Sequence, residues 1–396
     1  MQSFVAELLG LMVYGPALVL MHEAGHAAFA RLGGYRVTSF GIGLGPPVWR
    51  LQLPGGAVFH VDRWLLAGGS CIAIPVGTPR ARRAWFHAGG LLVQVALALV
   101  LLLLPSVWLV DRIAQFNLLV ALTNLVPWRW RGAASDGWYL LDVLRGGRRS
   151  TEILPQRETF ERLAQREALI GSPLGQVYAS LCIAWVDLLA GRTGRAAELF
   201  TAAHPETLLD PWIDALTHYL HAEWHRAECR ALAALRIARE IRTCDVEVSE
   251  EAGALLALAE ARALVDLDAS LQAQRALSRA VGISGPIGLQ AAAVYLAATL
   301  DGELEELEYA TWRVVRRVDE VWLDPADTAI ILWEAAEQLE EHGRIEASRG
   351  ARTSSRALAR RTIRSASFED RVPLIRRLGE PASSRPLGGV VEEAEP

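Results

Sequence analysis

The sequence contains no lysine, so every one of its 40 basic residues is an arginine. A GC-rich coding bias explains this better than a function does, and it indicates a bacterial source. Cysteine is scarce as well, and no two of the four cysteines form a C-x-x-C pair. Their wide spacing argues against a disulfide framework and against a cysteine zinc site, and it fits a reducing compartment.

Formal charge is almost absent from the first apolar stretch. Between Glu7 and Arg31 only Glu23 is charged, and this length is enough for a membrane-spanning helix. Gly15 and Pro16 interrupt the stretch, which is tolerated where neighbouring helices cover the freed backbone. No basic segment and no A-x-A cleavage site precede it, so we expect a retained membrane segment and not a signal peptide.

Two later apolar blocks, residues 88–110 and 113–128, predict a second and a third span. The turn between them carries Asp111 and Arg112. With the N-terminus outside, Arg112 is the only arginine of residues 1–150 that falls outside, as the positive-inside rule requires. The apolar fraction of 52% and the mean hydropathy of +0.20 also exceed those of ordinary soluble proteins.

Residues 35–70, between the first two spans, alternate β-forming residues and break at clusters of Gly and Pro. This pattern predicts a β-hairpin insertion. Its G-x-G-x-G is followed at once by Pro46 and Pro47, so no helix begins where a dinucleotide-binding fingerprint requires one.

The second half of the chain has a helical pattern, rich in Ala, Leu and Glu and broken at intervals by Gly. One stretch resembles a tetratricopeptide repeat, with small and aromatic residues near the expected offsets at Gly191, Ala196, Phe200 and Ala203. Two uncharged stretches, residues 168–186 and 280–300, are rich in small residues, so we expect buried helices there and not spans.

These patterns predict an α-helical membrane protein with three core transmembrane helices and a β-hairpin insertion in residues 1–150. An all-α, repeat-like soluble domain follows in residues 151–345, and an Arg- and Ser-rich disordered tail in 346–396. The net charge is +7 over the first 150 residues and −12 over the remainder, so the two halves occupy different environments.

The first predicted span contains H-E-x-x-H, formed by His22, Glu23 and His26. On a helix the two histidines, four residues apart, lie on one face and can bind one metal ion. Glu23 is then placed to take a proton from water, whose pKa a bound zinc ion lowers to about 7.

A short motif of this kind also occurs by chance. Two imidazoles and a carboxylate inside a membrane helix are costly, however, and rarely lack a function. A soluble zinc protease with a later histidine ligand does not fit, because no histidine follows His26 within the next turns. A small-molecule transporter would need more than three spans.

A third ligand is expected from another buried polar position, and N-x-x-P followed by D-G occurs after the third span, with Asn124, Pro127, Asp136 and Gly137. Together with H-E-x-x-H, these residues resemble the site-2 protease family of intramembrane zinc metalloproteases. The resemblance covers about residues 4–145.

This resemblance implies His22, His26 and Asp136 as ligands of one Zn²⁺ per chain and Glu23 as the general base. It also implies that Gln94, in place of the family's Asn, helps to hold the substrate backbone and that Gly68–Gly69 belong to a membrane-dipping β segment that pairs with extended substrate. Asn124 is expected to contact the substrate, to orient Asp136 or to cap the end of its helix.

Three departures from the family pattern stand out. Gln94 replaces the usual Asn, Leu91 stands where Pro is common, and extra residues separate Pro127 from Asp136. Asp136 has an alternative role as a surface partner of Arg129 or Arg131.

The resemblance implies hydrolysis of peptide bonds within or near transmembrane segments of membrane proteins, with release of a cytosolic fragment. We expect a multi-pass protein of the plasma (inner) membrane, in contact with the lipid bilayer, whose cytosolic domain recruits a protein or peptide or is only structural. The negative charge of that domain argues against nucleic-acid binding. The alternative function is an inactive membrane scaffold, although a scaffold has no need of Glu23.

Overall fold

The computed structural model describes residues 2–74, 80–105, 107–130, 133–145, 157–203, 210–240, 250–278, 280–282, 286–318 and 324–365. The elements of the first part are α1 (Gln2–Leu32), β1 (Arg36–Gln52), β2 (Val58–Ile74), α2 (Arg80–Leu102), α3 (Trp108–Leu125), β3 (Arg129–Trp130), β4 (Ala133–Ala134) and α4 (Asp136–Leu144).

A helical domain follows. Its elements are α5 (Arg157–Ile170), α6 (Pro173–Leu189), α7 (Thr193–Ala203), α8 (Pro211–Ala227), α9 (Ala231–Glu240), α10 (Glu250–Val265), α11 (Ser270–Leu277), a 3₁₀ turn (Ala280–Gly282), α12 (Pro286–Ala297), α13 (Leu304–Val315), α14 (Pro325–Glu341) and α15 (Ile345–Ser365).

Helices α1 and α2 touch backbone to backbone at two glycines. A Cβ on Gly25 would lie 2.7 Å from the carbonyl oxygen of Gly89, and one on Gly89 would lie 2.8 Å from that of Gly25. Small residues at a helix crossing permit this approach, which is typical of membrane helices. The crossing brings α2 close to the helix turn that carries the H-E-x-x-H motif.

Strands β1 and β2 form the predicted hairpin, but both are bent, so each contributes two segments to one antiparallel sheet. Residues 36–42 of β1 lie in the middle. They pair with Val58–Val61 of β2 on one side and with Gly69–Ile74 on the other. Glycines with φ of 92° at Gly43 and Gly45 allow the bend in β1. We call Gly69–Ile74 the edge segment, because among the described residues no strand pairs with its outer side.

The prediction of a turn at Asp111–Arg112 is wrong. Helix α2 ends at Leu102 and α3 begins at Trp108, so the break lies around Pro105, which cannot continue a helix. Asp111 is instead in the first turn of α3, where the helix dipole favours a negative charge.

Within the described residues, the helix Arg82–Leu102 is long and apolar enough to cross a membrane. The other two predicted spans stay predictions. Large apolar side chains cover the outer faces of α2 and α3 and are exposed, with Leu103 the most open at 86%. They include Leu92, Val95, Leu99, Val100, Leu102, Leu118, Leu119 and Leu122.

The helical domain has an extensive buried core, and the predicted buried helices are α6 and α12. The repeat-like stretch forms the α6–α7 pair: Gly191 has φ of 76° in the turn, and Ala196 and Phe200 are buried. The predicted start of a disordered tail at residue 346 is wrong, because Ile345–Ser365 form α15 and bury Leu358. An apolar face with Ala and Leu at helical spacing explains this helix. Residues 366–396 lie outside the described residues.

Candidate metal centre

Three side chains from two helices converge at one point. His22 and His26 lie one turn apart on α1, and Asp136 is the first residue of α4. Oδ2 of Asp136 lies 2.9 Å from Nε2 of His22 and 3.2 Å from Nε2 of His26, and the two Nε2 atoms are 3.1 Å apart. Within the described chain, this is the one group of three such side chains that could hold a metal ion.

The ring nitrogens on the far side of each histidine are occupied. Nδ1 of His26 donates to the carbonyl oxygen of Phe86 at 2.8 Å, since a carbonyl can only accept. Nδ1 of His22 lies 3.0 Å from Oε1 of Gln94 and donates to it in the same way. A neutral histidine that donates through Nδ1 carries its lone pair on Nε2. Both lone pairs therefore point at the Asp136 carboxylate.

Because the imidazole protons are on Nδ1, no proton lies between the two Nε2 atoms and Oδ2 of Asp136. These three electron-pair donors repel each other unless a cation lies between them. Zinc bonds of about 2.0–2.2 Å in a tetrahedral arrangement place ligand atoms about 3.3–3.6 Å apart, which the three atoms reach by moving apart by a few tenths of an ångström. The donor set of two imidazoles and one carboxylate is typical of catalytic zinc. The residues therefore fit this metal.

The extra residues between Pro127 and Asp136 do not displace Asp136, because they form a turn whose two ends are hydrogen-bonded to each other. Residues 129–130 and 133–134 pair as a two-stranded turn. At its base, the Ser135 amide donates to the carbonyl of Trp128 at 3.1 Å, and the Trp128 amide donates to Oγ of Ser135 at 3.1 Å. Ser135 Oγ also donates to Val126 at 2.7 Å and caps α4 through the amide of Trp138.

Two glycines let the helices come close enough. A Cβ on Gly137 would lie 1.8 Å from the carbonyl oxygen of Leu125, so the residue after Asp136 packs directly on the end of α3. A Cβ on Gly90 would lie 2.5 Å from Cε1 of His22 and 2.6 Å from Nε2 of His26. The backbone of α2 thus packs directly against both imidazoles.

Glu23 lies between this cluster and the sheet. Its side chain is buried and interacts electrostatically with both histidines and with Asp136. A Cβ on Gly69 would lie 2.5 Å from Cγ and 2.9 Å from Oε1 of Glu23. Gly69 begins the edge segment, so the strand passes directly over the carboxylate.

Gln94 has a different contact from the one implied by the resemblance. Its Oε1 accepts the bond from His22, while its Nε2 is buried and has no hydrogen-bond partner among the described residues. Asn117 of α3 donates to the Gln94 carbonyl of α2 at 2.6 Å, which is a hydrogen bond between the two helices. Substrate contacts of Gln94, Gly68, Gly69 and Asn124 stay predictions; Asn124 is half-buried at the end of α3.

The remaining polar residues of this region have structural contacts. His60 is buried against Asp62 at 3.1 Å, and His87 stacks on Tyr139 with ring centroids 4.9 Å apart. The alternative pairing of Asp136 with Arg129 is not seen, because Arg129 lies over the ring of Trp138. Arg131 lies outside the described residues.

Sequence reasoning missed the residues that support the ligands. Ser135 has the signature of a helix N-cap directly before an Asp-Gly pair, and this signal was sufficient to find it. The carbonyl of Phe86 carries no signal in the sequence, because every residue has one. The contact between Gly90 and the histidines depends on the helix crossing and is likewise not written in the local sequence.

The helices thus place two histidines, an aspartate and a buried glutamate beside an open strand edge, and metal-dependent peptidases use side chains of these types. The sequence model of peptidase family M50 matches residues 10–322. The chain therefore belongs to this family, the site-2 protease family of intramembrane metallopeptidases. The match extends far beyond the predicted limit at residue 145 and includes the helical domain as far as α13. Neither the curated proteins nor the solved structures gave a match.

Proposed function

We propose that this chain is a zinc endopeptidase that cleaves membrane proteins within or near their transmembrane segments. The observation that carries the proposal is the convergence of three electron-pair donors beside Glu23 and the edge segment. His22 and His26 would hold zinc through Nε2, and Asp136 through Oδ2.

Zinc, when bound, would act as a Lewis acid that polarises the scissile carbonyl, and it would lower the pKa of water so that the water loses a proton and attacks at neutral pH. Glu23 accepts the proton of the attacking water and then transfers it to the leaving nitrogen. Both transfers use one carboxylate, which is held in place by burial on α1.

The substrate must be extended to reach this carboxylate, because a helix hides its amides in i→i−4 hydrogen bonds. The outer side of the edge segment offers backbone donors and acceptors to such a strand by β-augmentation. Since Gly69 lies on Glu23, a strand added here passes beside the general base.

A membrane location is supported by the exposed leucines and valines of α2 and α3 and by the length of Arg82–Leu102. We infer three spans, with α1 and α3 as the other two, in the bacterial inner membrane. The arginine distribution supports a cytosolic helical domain and release of the fragment on that side. That domain is also the candidate surface for a recruited protein or peptide.

The test uses the full chain reconstituted in liposomes with a tagged single-span protein whose apolar segment contains a Gly-Pro pair. We expect about one zinc per chain and cleavage by the wild type. Glu23→Gln should keep the zinc and lose cleavage by about 10²–10⁴-fold, whereas Asp136→Ala should lose the zinc.

Zinc retained by Asp136→Ala would contradict the proposed ligand set. The scaffold would be supported by three results together. The wild type would bind zinc, would cleave no member of a panel of such single-span proteins, and would co-purify with the same members of the panel as Glu23→Gln does. His87→Gln is a suitable control, because His87 lies in the same region and stacks on Tyr139 outside the ligand cluster.

A further inference from the structure

The edge segment has two anchored ends, and they belong to different parts of the chain. Gly69 lies on Glu23 at the candidate metal centre. Ile74, 1% exposed, is part of the buried core of the helical domain, together with residues of α6, α8 and α10. The strand that faces the substrate thus connects the centre to a domain outside the H-E-x-x-H and D-G motifs.

The middle of the sheet is held by buried polar contacts from the same domain. Ser39 Oγ donates to Oε1 of Glu167 at 2.8 Å, and both residues are fully buried. Ser172 Oγ donates to the carbonyl of Thr38 at 3.1 Å. Thr38 in turn donates through Oγ1 to the carbonyl of Ile72 at 3.2 Å, which is a bond to the edge segment itself.

A charged contact fixes the bent part of the sheet. Arg166 pairs with the buried carboxylate of Asp62 and donates to the carbonyl of Gly45 at 2.9 Å. Asp62 lies in β2, and Gly45 follows the middle segment of β1. One arginine on α5 therefore ties both strands near the point where they bend.

Helix α6 makes room for this contact. A Cβ on Gly175, in the first turn of α6, would lie 1.8 Å from Oε2 of Glu167, so a larger residue there would displace the carboxylate. The glycine thus leaves space for the buried carboxylate that Ser39 contacts.

We propose that Arg166 and Glu167 of α5 are positioning residues that hold the edge segment over Glu23 for substrate binding. This inference rests on the proposed function, and it assigns to the helical domain a role in placing the substrate strand. These residues act through the sheet and touch neither the metal ligands nor Glu23.

The first measurement is hydrogen–deuterium exchange of the full chain in detergent. Glu167→Leu keeps the size of the side chain but removes the acceptor, and Ser39→Ala removes the same bond from the other side. We expect amides of the edge segment to exchange about tenfold faster or more in both variants. Zinc content should stay at the wild-type level, because the ligands lie on α1 and α4.

Glu167→Gln should restore slow exchange, because its amide oxygen still accepts from Ser39. Glu158→Leu and Arg162→Leu are the matched controls, since both residues are exposed on the same helix. Arg166→Leu should behave like Glu167→Leu. With the tagged single-span protein in liposomes, both variants should raise KM about tenfold and change kcat by less than about twofold.

Unchanged exchange in the edge segment would overturn the inference, as would equally faster exchange in the buried helix α10, which would indicate general loss of stability. Ser39→Ala keeps the test decisive if the α5 variants fail to fold. A wild type without cleavage would contradict the proposed function, and the exchange data would still decide whether α5 holds the segment.

Discussion

The two halves of the molecule differ in the side chains that they expose. In the first half, large apolar side chains such as Leu99 and Leu103 are exposed, while His22, His26 and Gln94 are buried. In the helical domain, the apolar residues are inside and the charges are mostly outside. A large exposed apolar surface marks a site of interaction with a membrane or a partner, so this comparison supports the proposal that lipid surrounds α2 and α3.

Buried polar groups therefore have different meanings in the two halves. In the helical domain, Arg262 is buried and ion-paired: its guanidinium contacts Asp324 and Asp327 at 2.9 Å each and Glu223 at 3.3 Å. Opposite charges thus face each other, and the contacts join α10 to α8 and to the start of α14. At the metal centre the buried groups are electron-pair donors that face one another, and they remain uncompensated until a cation binds.

The largest effect on stability is expected at the paired ions. Arg262→Met leaves Asp324 and Asp327 without this cation, while Glu223 keeps its pair with Arg226, and should lower the free energy of unfolding by about 3–5 kcal/mol. Arg349→Met, at an exposed position of α15, should change it by less than about 0.5 kcal/mol. Denaturant unfolding in detergent measures both. A loss below about 1 kcal/mol for Arg262→Met would show that the network is not structural.

The next effect compares one residue type in both halves. Leu258→Ala in α10, where the side chain is 0% exposed, should cost about 2–5 kcal/mol. Leu99→Ala in α2, where it is 59% exposed, should cost less than about 0.5 kcal/mol in detergent. Thermal unfolding of the two variants provides the comparison. Equal losses would mean that the outer face of α2 is covered by another part of the protein.

A smaller effect is expected at the contact that orients His22. Gln94→Leu removes the acceptor for Nδ1, so the affinity for zinc should fall about 10–100-fold, as measured by competition with a chelator. Gln94→Glu should restore most of it, because a carboxylate also accepts this bond. Gln115→Leu is the control, since Gln115 is exposed on α3. An unchanged affinity in Gln94→Leu would leave the residue to substrate binding alone.

The smallest effect is a pH dependence at the interface between the halves. Burial raises the pKa of Glu167 above its ordinary value of 4.5. The folded protein then binds the Glu167 proton more tightly than the unfolded chain does. The contribution of this group to the free energy of unfolding is therefore fully present below pH 4.5 and is lost as pH rises through the raised pKa. Glu167→Gln lacks this titration. The Tm of Glu167→Gln minus the Tm of the wild type should therefore increase from pH 5 to pH 8. A difference in Tm that stays constant over this range would contradict the prediction.

The sequence predicted the parts of the site that depend on local spacing. His22 and His26 are four residues apart on one helix, and their convergence follows from helix geometry alone. The place of Asp136 beside them came from the resemblance, and the turn stabilised by Ser135 explains why the longer spacing does not matter.

Contacts between elements that are far apart in the sequence could not be predicted from local sequence patterns. Nothing near Glu167 in the sequence indicates Ser39, 128 residues away, as its partner. The bend of β1 and β2 was hidden for the same reason, because a periodicity of two residues predicts a strand but not the partners on its two sides. The start of the tail was misplaced because a high content of Arg and Ser concealed the apolar stripe of α15.

The hydrogen bonds between Trp128 and Ser135 hold the two ends of this insertion together. We therefore expect that a few residues can be added between Trp130 and Ala133 while Asp136 stays beside the two histidines. This closed turn is then expected to tolerate changes in its length. In the laboratory, it is a suitable position for inserting a short epitope or fluorophore-binding tag close to the site.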